Sequence, residues 1–240
     1  MHHRLRYARR GGVLGLDPTL RWLDRLSMHF DTAIDVGAHH GLFARALAQK
    51  SREVIAIEPR PAAVEHMAAV LPANCRPMCL ALSDRAGPLR LSTPLKRGRP
   101  DYALTFAERG APTQGATYDW TTQATTLDAL VSDRLAGQKI GFIKLDVEGH
   151  ELAVLRGAAA TIATHRPIIL AEAERRHGCD VTALFQTMSR AGYVAALPWC
   201  GITHGVTGDE FLSLQAASNP DRPDYVNNVL FVPGEPGPAG

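Results

Sequence analysis

Along most of the chain, short apolar runs alternate with stretches in which apolar residues return every three or four positions. The short runs are Thr32 to Val36, Val54 to Ile57, Met78 to Leu82, Ile140 to Leu145, Pro167 to Ala171, Tyr193 to Leu197 and Val229 to Val232. Runs of this length, bounded by turn residues, predict buried strands. Helical spacing links Leu42, Phe43, Ala46 and Leu47, then Val64, Met67, Ala68 and Leu71, then Leu127, Leu130, Val131 and Leu135. It returns in Leu152, Leu155, Ala159 and Ile162, and again in Val181, Leu184, Phe185 and Met188. The punctuation agrees. Pro61 opens one helix and Pro72 closes it, Thr125 and Asp128 have capping-box-like spacing, Asp180 caps the last helix and Gly192 stops it. A recurring strand–helix unit predicts an α/β fold with a mostly parallel sheet.

Four segments depart from this rhythm. Residues 1 to 15 carry Arg4, Arg6, Arg9 and Arg10 and read as a solvated basic arm. Asp17-Pro18 then starts a helix with Leu20, Leu23 and Leu26, running to about Phe30 and lying beside or over the cleft. From Arg85 to Thr125 the periodicity fades among Gly, Pro, Thr and Arg, which predicts a substrate-side insertion that can include a short hairpin. Residues 199 to 226 read as a polar loop able to close over a substrate, and Gly234 to Gly240 as a disordered Pro/Gly tail. The expected organisation is an arm and helix over 1–30, one domain over 31–233 and a tail over 234–240.

Composition narrows the function. The balance of 26 basic against 24 acidic residues argues against a general nucleic-acid binder. No apolar run reaches membrane-span length, and the arginine-bearing N-terminus lacks a signal-peptide core. The 4 cysteines, at 75, 79, 179 and 200, lack C-x-x-C pairing and read as reduced, mostly buried thiols of a cytoplasmic protein. His177, Cys179, Cys200 and His204 are too irregularly spaced for a zinc site. The expected partners exclude nucleic acid and membrane, and self-association is left open.

The chemistry centres on Asp35-Val36-Gly37-Ala38-His39-His40-Gly41, a strand running through a glycine turn into a helix. Such a unit aims backbone N–H groups at a ligand. A dinucleotide fingerprint needs glycines where His39 and Leu42 stand, and a P-loop needs Gly-Lys where Gly41-Leu42 stands. Asp35 would repel a phosphate and suit a cationic ligand. S-adenosylmethionine, with an ammonium, a sulfonium and an adenosine, meets that requirement. Glu58 ends the next strand, where a nucleotide-binding βαβ unit holds ribose hydroxyls.

These residues resemble a class I methyltransferase, and more narrowly the FkbM family. The narrower likeness rests on Ala81-Leu82-Ser83-Asp84 with Gly87, Thr126-Leu127-Asp128, and Ile143-Lys144-Leu145-Asp146-Val147-Glu148-Gly149-His150-Glu151 followed by Val154-Leu155-Arg156-Gly157-Ala158. Pro167 to Glu172 and Asn228 to Pro233 extend it, so that it covers roughly residues 31 to 233. Family members usually carry asparagine at the position of His39. The resemblance implies a Rossmann-like, mostly parallel seven-stranded sheet with helices on both faces and an antiparallel last strand. It implies S-adenosylmethionine as cofactor, bound by Asp35, Gly37, Ala38, His39, Gly41, Phe43, Glu58, Pro59, Ser83, Asp84 and Asp146.

Methyl transfer from a sulfonium is an in-line displacement that requires alignment, exclusion of water and often removal of a proton from the acceptor. Asp146, Glu148, His150 and Glu172 are the catalytic candidates, with the base left open among them. Lys144 is expected to pair with one of the acids, and Glu151 to serve the dipole of the following helix. Glu172 and Glu174 lie two apart on a strand and would point the same way. A divalent cation on Asp146, Glu148, Glu172 and Glu174 is the less favoured use of these acids, and no metal is assigned. The resemblance implies O-methylation of a hydroxyl on a sugar, polysaccharide or secondary metabolite. The alternatives are an N-methyltransferase, a non-catalytic binding module and, disfavoured by His39 and Leu42, a nicotinamide oxidoreductase.

Overall fold

A computed structural model describes residues 18–107, 115–198, 205–220 and 225–234. The basic arm, Asp17, Cys200, His204 and the tail beyond Gly234 lie outside the described residues. In chain order the elements are α1 (Pro18–Arg25), β1 (Phe30–Val36), α2 (Leu42–Leu47), β2 (Ser51–Glu58), α3 (Pro61–Val70), β3 (Cys75–Cys79), β4 (Ala81–Leu82), β5 (Gly87–Lys96), β6 (Arg99–Pro100), β7 (Phe106–Ala107) and β8 (Thr117–Thr125). There follow α4 (Leu127–Arg134), β9 (Ile140–Leu145), α5 (Glu151–Arg156), α6 (Ala159–His165), β10 (Ile168–Glu172), α7 (Val181–Arg190), β11 (Tyr193–Ala196), α8 (Gly208–Ala217) and β12 (Asn228–Pro233).

The main sheet has 7 strands in the order β11-β12-β10-β9-β1-β2-β3. β12 runs antiparallel to both its neighbours, and the pairs from β10 to β3 are parallel. The strands are apolar on both faces, as a parallel sheet covered by helices requires. Ile34, Val36, Ile55, Ile57, Ile143 and Leu145 face a core completed by Leu127, Leu130, Leu184 and Phe211. Ala33, Val54, Ala56, Phe142 and Leu170 face the other side, where Leu23, Leu47 and Met67 close over them. The chain leaves β1 toward β2 on one side and reaches β9 on the other. The sheet therefore reverses winding between β1 and β9, and a crevice opens at their carboxyl ends, the usual ligand position in such sheets.

Several expectations change. The helix after Pro18 ends at Arg25, because Phe30 already pairs with Ser51 in the sheet. It packs on α2. In α2 the buried positions are Ala44 and Leu47, whereas Leu42 is exposed. The run from Met78 to Leu82 divides between β3 of the main sheet and β4 of a second one. The cap of α4 is Thr126, not Thr125, with its hydroxyl accepting the Ala129 N–H at 3.1 Å. Asp128 instead accepts the N–H groups of Ala160 and Thr161 and so caps α6 from outside.

The single helix expected after His150 is two, with Ala159 exposed rather than buried. The break falls at Gly157, where a Cβ would stand 2.1 Å from the Ser83 carbonyl oxygen. Residues 208–217 form α8, with a capping box between Thr207 and Glu210, inside the stretch read as loop. Of the described cysteines, Cys179 is buried, Cys75 is intermediate and Cys79 is exposed.

The segment from Arg85 to Thr125 is more ordered than its composition suggests. β5 and β8 pair antiparallel from Gly87↔Ala124 to Pro94↔Thr117, and β4, β6 and β7 attach to them. Pro88 and Pro94 lie within β5, and proline ordinarily argues against a strand. The inward positions include Thr93, which is buried beside Leu91, so the alternation is only weakly apolar.

Candidate active site

The turn after β1 is pressed against the end of β9. A Cβ on Gly37 would lie 1.9 Å from the Asp146 carbonyl oxygen, and its φ is +80°. Only glycine meets both demands. The Gly37 and Ala38 N–H groups donate to the Ile57 carbonyl, each at 2.9 Å, which ties the turn to β2. Ala38 is buried, and Gly41 closes the turn with its N–H on the Ala38 carbonyl. His39 has φ +51°. Asparagine and histidine are both enriched in this left-handed region, so the histidine preserves the turn that an asparagine would make.

Glu58 ends β2 and is buried. Its Oε2 accepts the His39 N–H at 2.9 Å, and its Oε1 accepts the Arg60 N–H at 3.2 Å and Nε–H at 2.7 Å. The Arg60 guanidinium stacks 4.9 Å above the centroid of Tyr102, which follows β6. The Pro59 carbonyl accepts the Cys79 thiol.

Beneath this turn lies a buried charge group. Asp35 sits inside β1 rather than at its end and is 1% exposed, so it does not open onto the crevice. Burial pushes its carboxyl up to about 7, against the pull of Lys144 and of the Ala44 N–H. Lys144 stands opposite Asp35 in register and is itself 1% exposed. Its ammonium donates to the Leu145 carbonyl at 2.9 Å, lies 3.7 Å from Asp146 Oδ2 and sits 5.1 Å from the centre of the Phe43 ring. The expected pairing of Lys144 with an acid is therefore with Asp146.

Carboxylate oxygens of Asp146, Glu148 and Glu172 lie within 4.8 Å of one another at the ends of β9 and β10. Each has a partner in the chain. Lys144 faces Asp146, His177 Nδ1 pairs with Glu148 Oε2, and Asn227 Nδ2 donates to Glu172 Oε1 at 2.5 Å. These partners hold the three carboxylates in place. Glu174 is not in the group. Strand geometry ends at Glu172, and Glu174 turns away to cap a short turn over Arg175–His177. Burial would raise the Glu174 carboxyl, but bonds from Arg176 and Tyr225 hold it below its usual value.

The loop after β9 is tightly folded. Glu148 has φ +46°, and Gly149, at +86°, would place a Cβ 2.2 Å from the His177 carbonyl oxygen. His150 precedes α5 but makes no side-chain cap; its Nε2 lies 2.9 Å from Ser83 Oγ, which also reaches Asp84 at 3.3 Å. Glu151, expected as a simple dipole partner, is 1% exposed and accepts the Gly149 N–H. Burial pushes its carboxyl up to about 7. In this way His150 joins the Ser83-Asp84 turn to the acidic loop, while Gly37 joins Asp146 to the Glu58 turn.

Arg60, Tyr102, Phe106, His177 and Asn227 complete the site and were not among the sequence candidates. Arg60 precedes the helix opened by Pro61 and carries no pattern of its own, and Tyr102 and Phe106 lie in the segment without clear periodicity. His177 enters the sequence reading only as a zinc ligand set aside for its irregular spacing, and Asn227 lies before β12 where no pattern marks it. The Phe106 ring stands edge-on to His177 with centroids 6.0 Å apart. The second sheet thus touches both the Glu58 end and the Glu148 end of the crevice.

Strand order, the antiparallel β12 and the crevice between β1 and β9 define a Rossmann-like class I methyltransferase fold. Within that class, the Methyltransferase FkbM domain matches residues 35–195, and the chain belongs to this family. The crystal structure of methyltransferase FkbM from Methylobacillus flagellatus is 18% identical, with a TM-score of 0.51 over 86% of this chain and 44% of that one. This chain thus spans less than half the length of that relative. A TehB-like SAM-dependent methyltransferase from Corynebacterium glutamicum is 12% identical, with a TM-score of 0.47 over 96% of this chain and 98% of that one. The N-methyltransferase NodS from Bradyrhizobium japonicum is 11% identical, with a TM-score of 0.44 over 97% and 96%. No curated protein matches the sequence. Among the described residues no helix is long and apolar enough to cross a membrane.

Proposed function

We propose that this methyltransferase binds S-adenosylmethionine across the Gly37 turn and Glu58 and methylates a hydroxyl of a sugar, polysaccharide or secondary metabolite. The observation that carries the cofactor reading is the acidic character of the crevice at the switch point. Asp146, Glu148 and Glu172 converge beside the Gly37 turn, and Arg60 is committed to Glu58. Clustered carboxylates repel a pyrophosphate and favour a ligand bearing ammonium and sulfonium charge. The residues fit. Glu58 Oε2 holds one donor, and a carboxylate oxygen has capacity for a second, such as a ribose hydroxyl.

In this reading Glu58 orients the ribose, and Pro59, Ser83 and Asp84 border the adenine. Gly37, Ala38, His39 and Gly41 present backbone to the methionine end, with Asp146 beside it. Asp35 and Phe43 act from below by fixing Lys144. The bound cofactor supplies an electrophilic methyl group on sulfur. Glu148, His150 and Glu172 lie on the acceptor side.

Calorimetric titration with S-adenosylmethionine and S-adenosylhomocysteine tests the assignment. Glu58→Ala is expected to weaken binding by about 1–3 kcal/mol through loss of charged hydrogen bonds. Unchanged affinity in the variant would remove the ribose placement. No heat with the wild type would favour a non-catalytic module. Release of S-adenosylhomocysteine on incubation with monosaccharides and methyl glycosides, but not with the corresponding amino sugars acylated at every hydroxyl, separates a hydroxyl acceptor from an amine.

A further inference from the structure

We propose that His177, oriented by Glu148, removes the proton from the acceptor hydroxyl, so that the two residues work as a histidine–carboxylate dyad. The inference rests on the hydroxyl-acceptor reading above. Two features of the backbone build the pair. Glu148 adopts φ +46°, a left-handed conformation that is unfavourable for a non-glycine residue. Gly149 follows it against the His177 carbonyl, where any Cβ would stand at 2.2 Å. The loop after β9 and the segment after β10 are packed together here, and Glu148 Oε2 lies against His177 Nδ1. Phe106 holds the ring from the second sheet.

The arrangement leaves the other ring nitrogen for chemistry. Nδ1 is sealed from solvent, yet 22% of the His177 side chain is exposed. With Nδ1 against Glu148, Nε2 is the ring nitrogen assigned to the acceptor. Competing groups are otherwise engaged: Asp146 faces Lys144, His150 Nε2 is on Ser83, and Glu172 holds Asn227. An imidazole is also better matched to neutral pH than a carboxylate as a general base.

The charged groups facing His177 are Glu148, Glu174 and Arg176. Burial would lower its basicity, but the bond and charge of Glu148 and the charge of Glu174 outweigh burial and Arg176, and the net direction is upward from 6.5. In the step itself the acceptor O–H bond breaks and its proton passes to Nε2. The oxygen electron pair forms the O–CH₃ bond, and the S–CH₃ pair leaves with sulfur as a neutral thioether. Glu148 stays ionised and stabilises the imidazolium, the role of the carboxylate in other histidine–carboxylate pairs.

Long-range proton–nitrogen NMR of the wild-type imidazoles, assigned through the backbone of His177, tests the dyad without turnover. The expected neutral form carries hydrogen on Nδ1 and a bare Nε2, with a protonation midpoint above 6.5 that falls in Glu148→Gln. A neutral form with hydrogen on Nε2 would overturn the proposal, because no lone pair would then face the acceptor. With a hydroxyl acceptor found by S-adenosylhomocysteine release, His177→Gln is expected to lose at least about 100-fold in kcat and the acidic limb of the pH profile, with cofactor affinity unchanged. A loss of under about tenfold would also overturn it. If cofactor binds but no hydroxyl compound is methylated, the acceptor reading falls and the proton donor with it, whatever the tautomer.

Discussion

Replacing Glu151 by glutamine isolates the cost of one buried charge. Glu151 is 1% exposed, and burial moves its carboxyl from the usual 4.5 to about 7, with Glu148 and Asp146 adding to the effect. A carboxyl raised in the folded state is protonated there while the unfolded chain has already ionised. Its cost to stability is absent below pH 4.5, grows as pH rises toward 7 and is complete above that. At 1.36 kcal/mol per tenfold change, this amounts to about 1 kcal/mol at pH 5 and about 3 kcal/mol at pH 8. Glutamine retains a carbonyl for the Gly149 N–H but never ionises. Whatever its fixed effect on packing, its stability relative to wild type should improve by about 2 kcal/mol between pH 5 and pH 8. Urea unfolding of both proteins at the two pH values measures this directly, and titration of Asp35 cancels because both proteins contain it. A difference that stays constant within about 0.5 kcal/mol would show that Glu151 keeps an ordinary acidity, and the account of the loop beneath Gly149 would be wrong.

Other substitutions probe the framework. Gly37→Ala forces a left-handed alanine and drives a Cβ into the Asp146 carbonyl, so a loss of about 2–4 kcal/mol and a fall in Tm of roughly 4–16 °C are expected by calorimetry; a shift under about 2 °C would mean that the β1 and β9 ends are not in contact. Asp128→Ala removes both bonds that cap α6 and should cost about 1–2 kcal/mol in urea unfolding, with Asp128→Asn recovering part of it. Equal losses in the two variants would exclude capping as the role of Asp128.

Much of the framework was legible because parallel strands are buried on both faces and so appear as unbroken apolar runs. Ile140 to Leu145 is identical in the sequence reading and in the sheet. The second sheet was not legible, since its inward positions include Thr93 and its strand β5 contains two prolines. Within the site, Asp146, Glu148 and Glu172 were visible as acids at strand ends and do converge. What could not be read was which partner each acid holds. Glu174 and Glu172 have identical spacing cues, yet one is taken by Arg176 and Tyr225 and the other by Asn227. His177 depends on a contact across two loops that is set by Gly149, a glycine that looks in sequence like any other turn.

The second sheet rests on the crevice at two points, through Tyr102 on the Arg60–Glu58 pair and through Phe106 on the His177–Glu148 pair. A body supported at both ends does not shift at one without loading the other. If ligands at the two ends displaced this sheet, they would act on a common lever, and any free energy one transmitted through it the other would return. By thermodynamic reciprocity each would change the affinity of its counterpart by the same factor, so that the order of arrival has no bearing on the strength of the final ternary assembly.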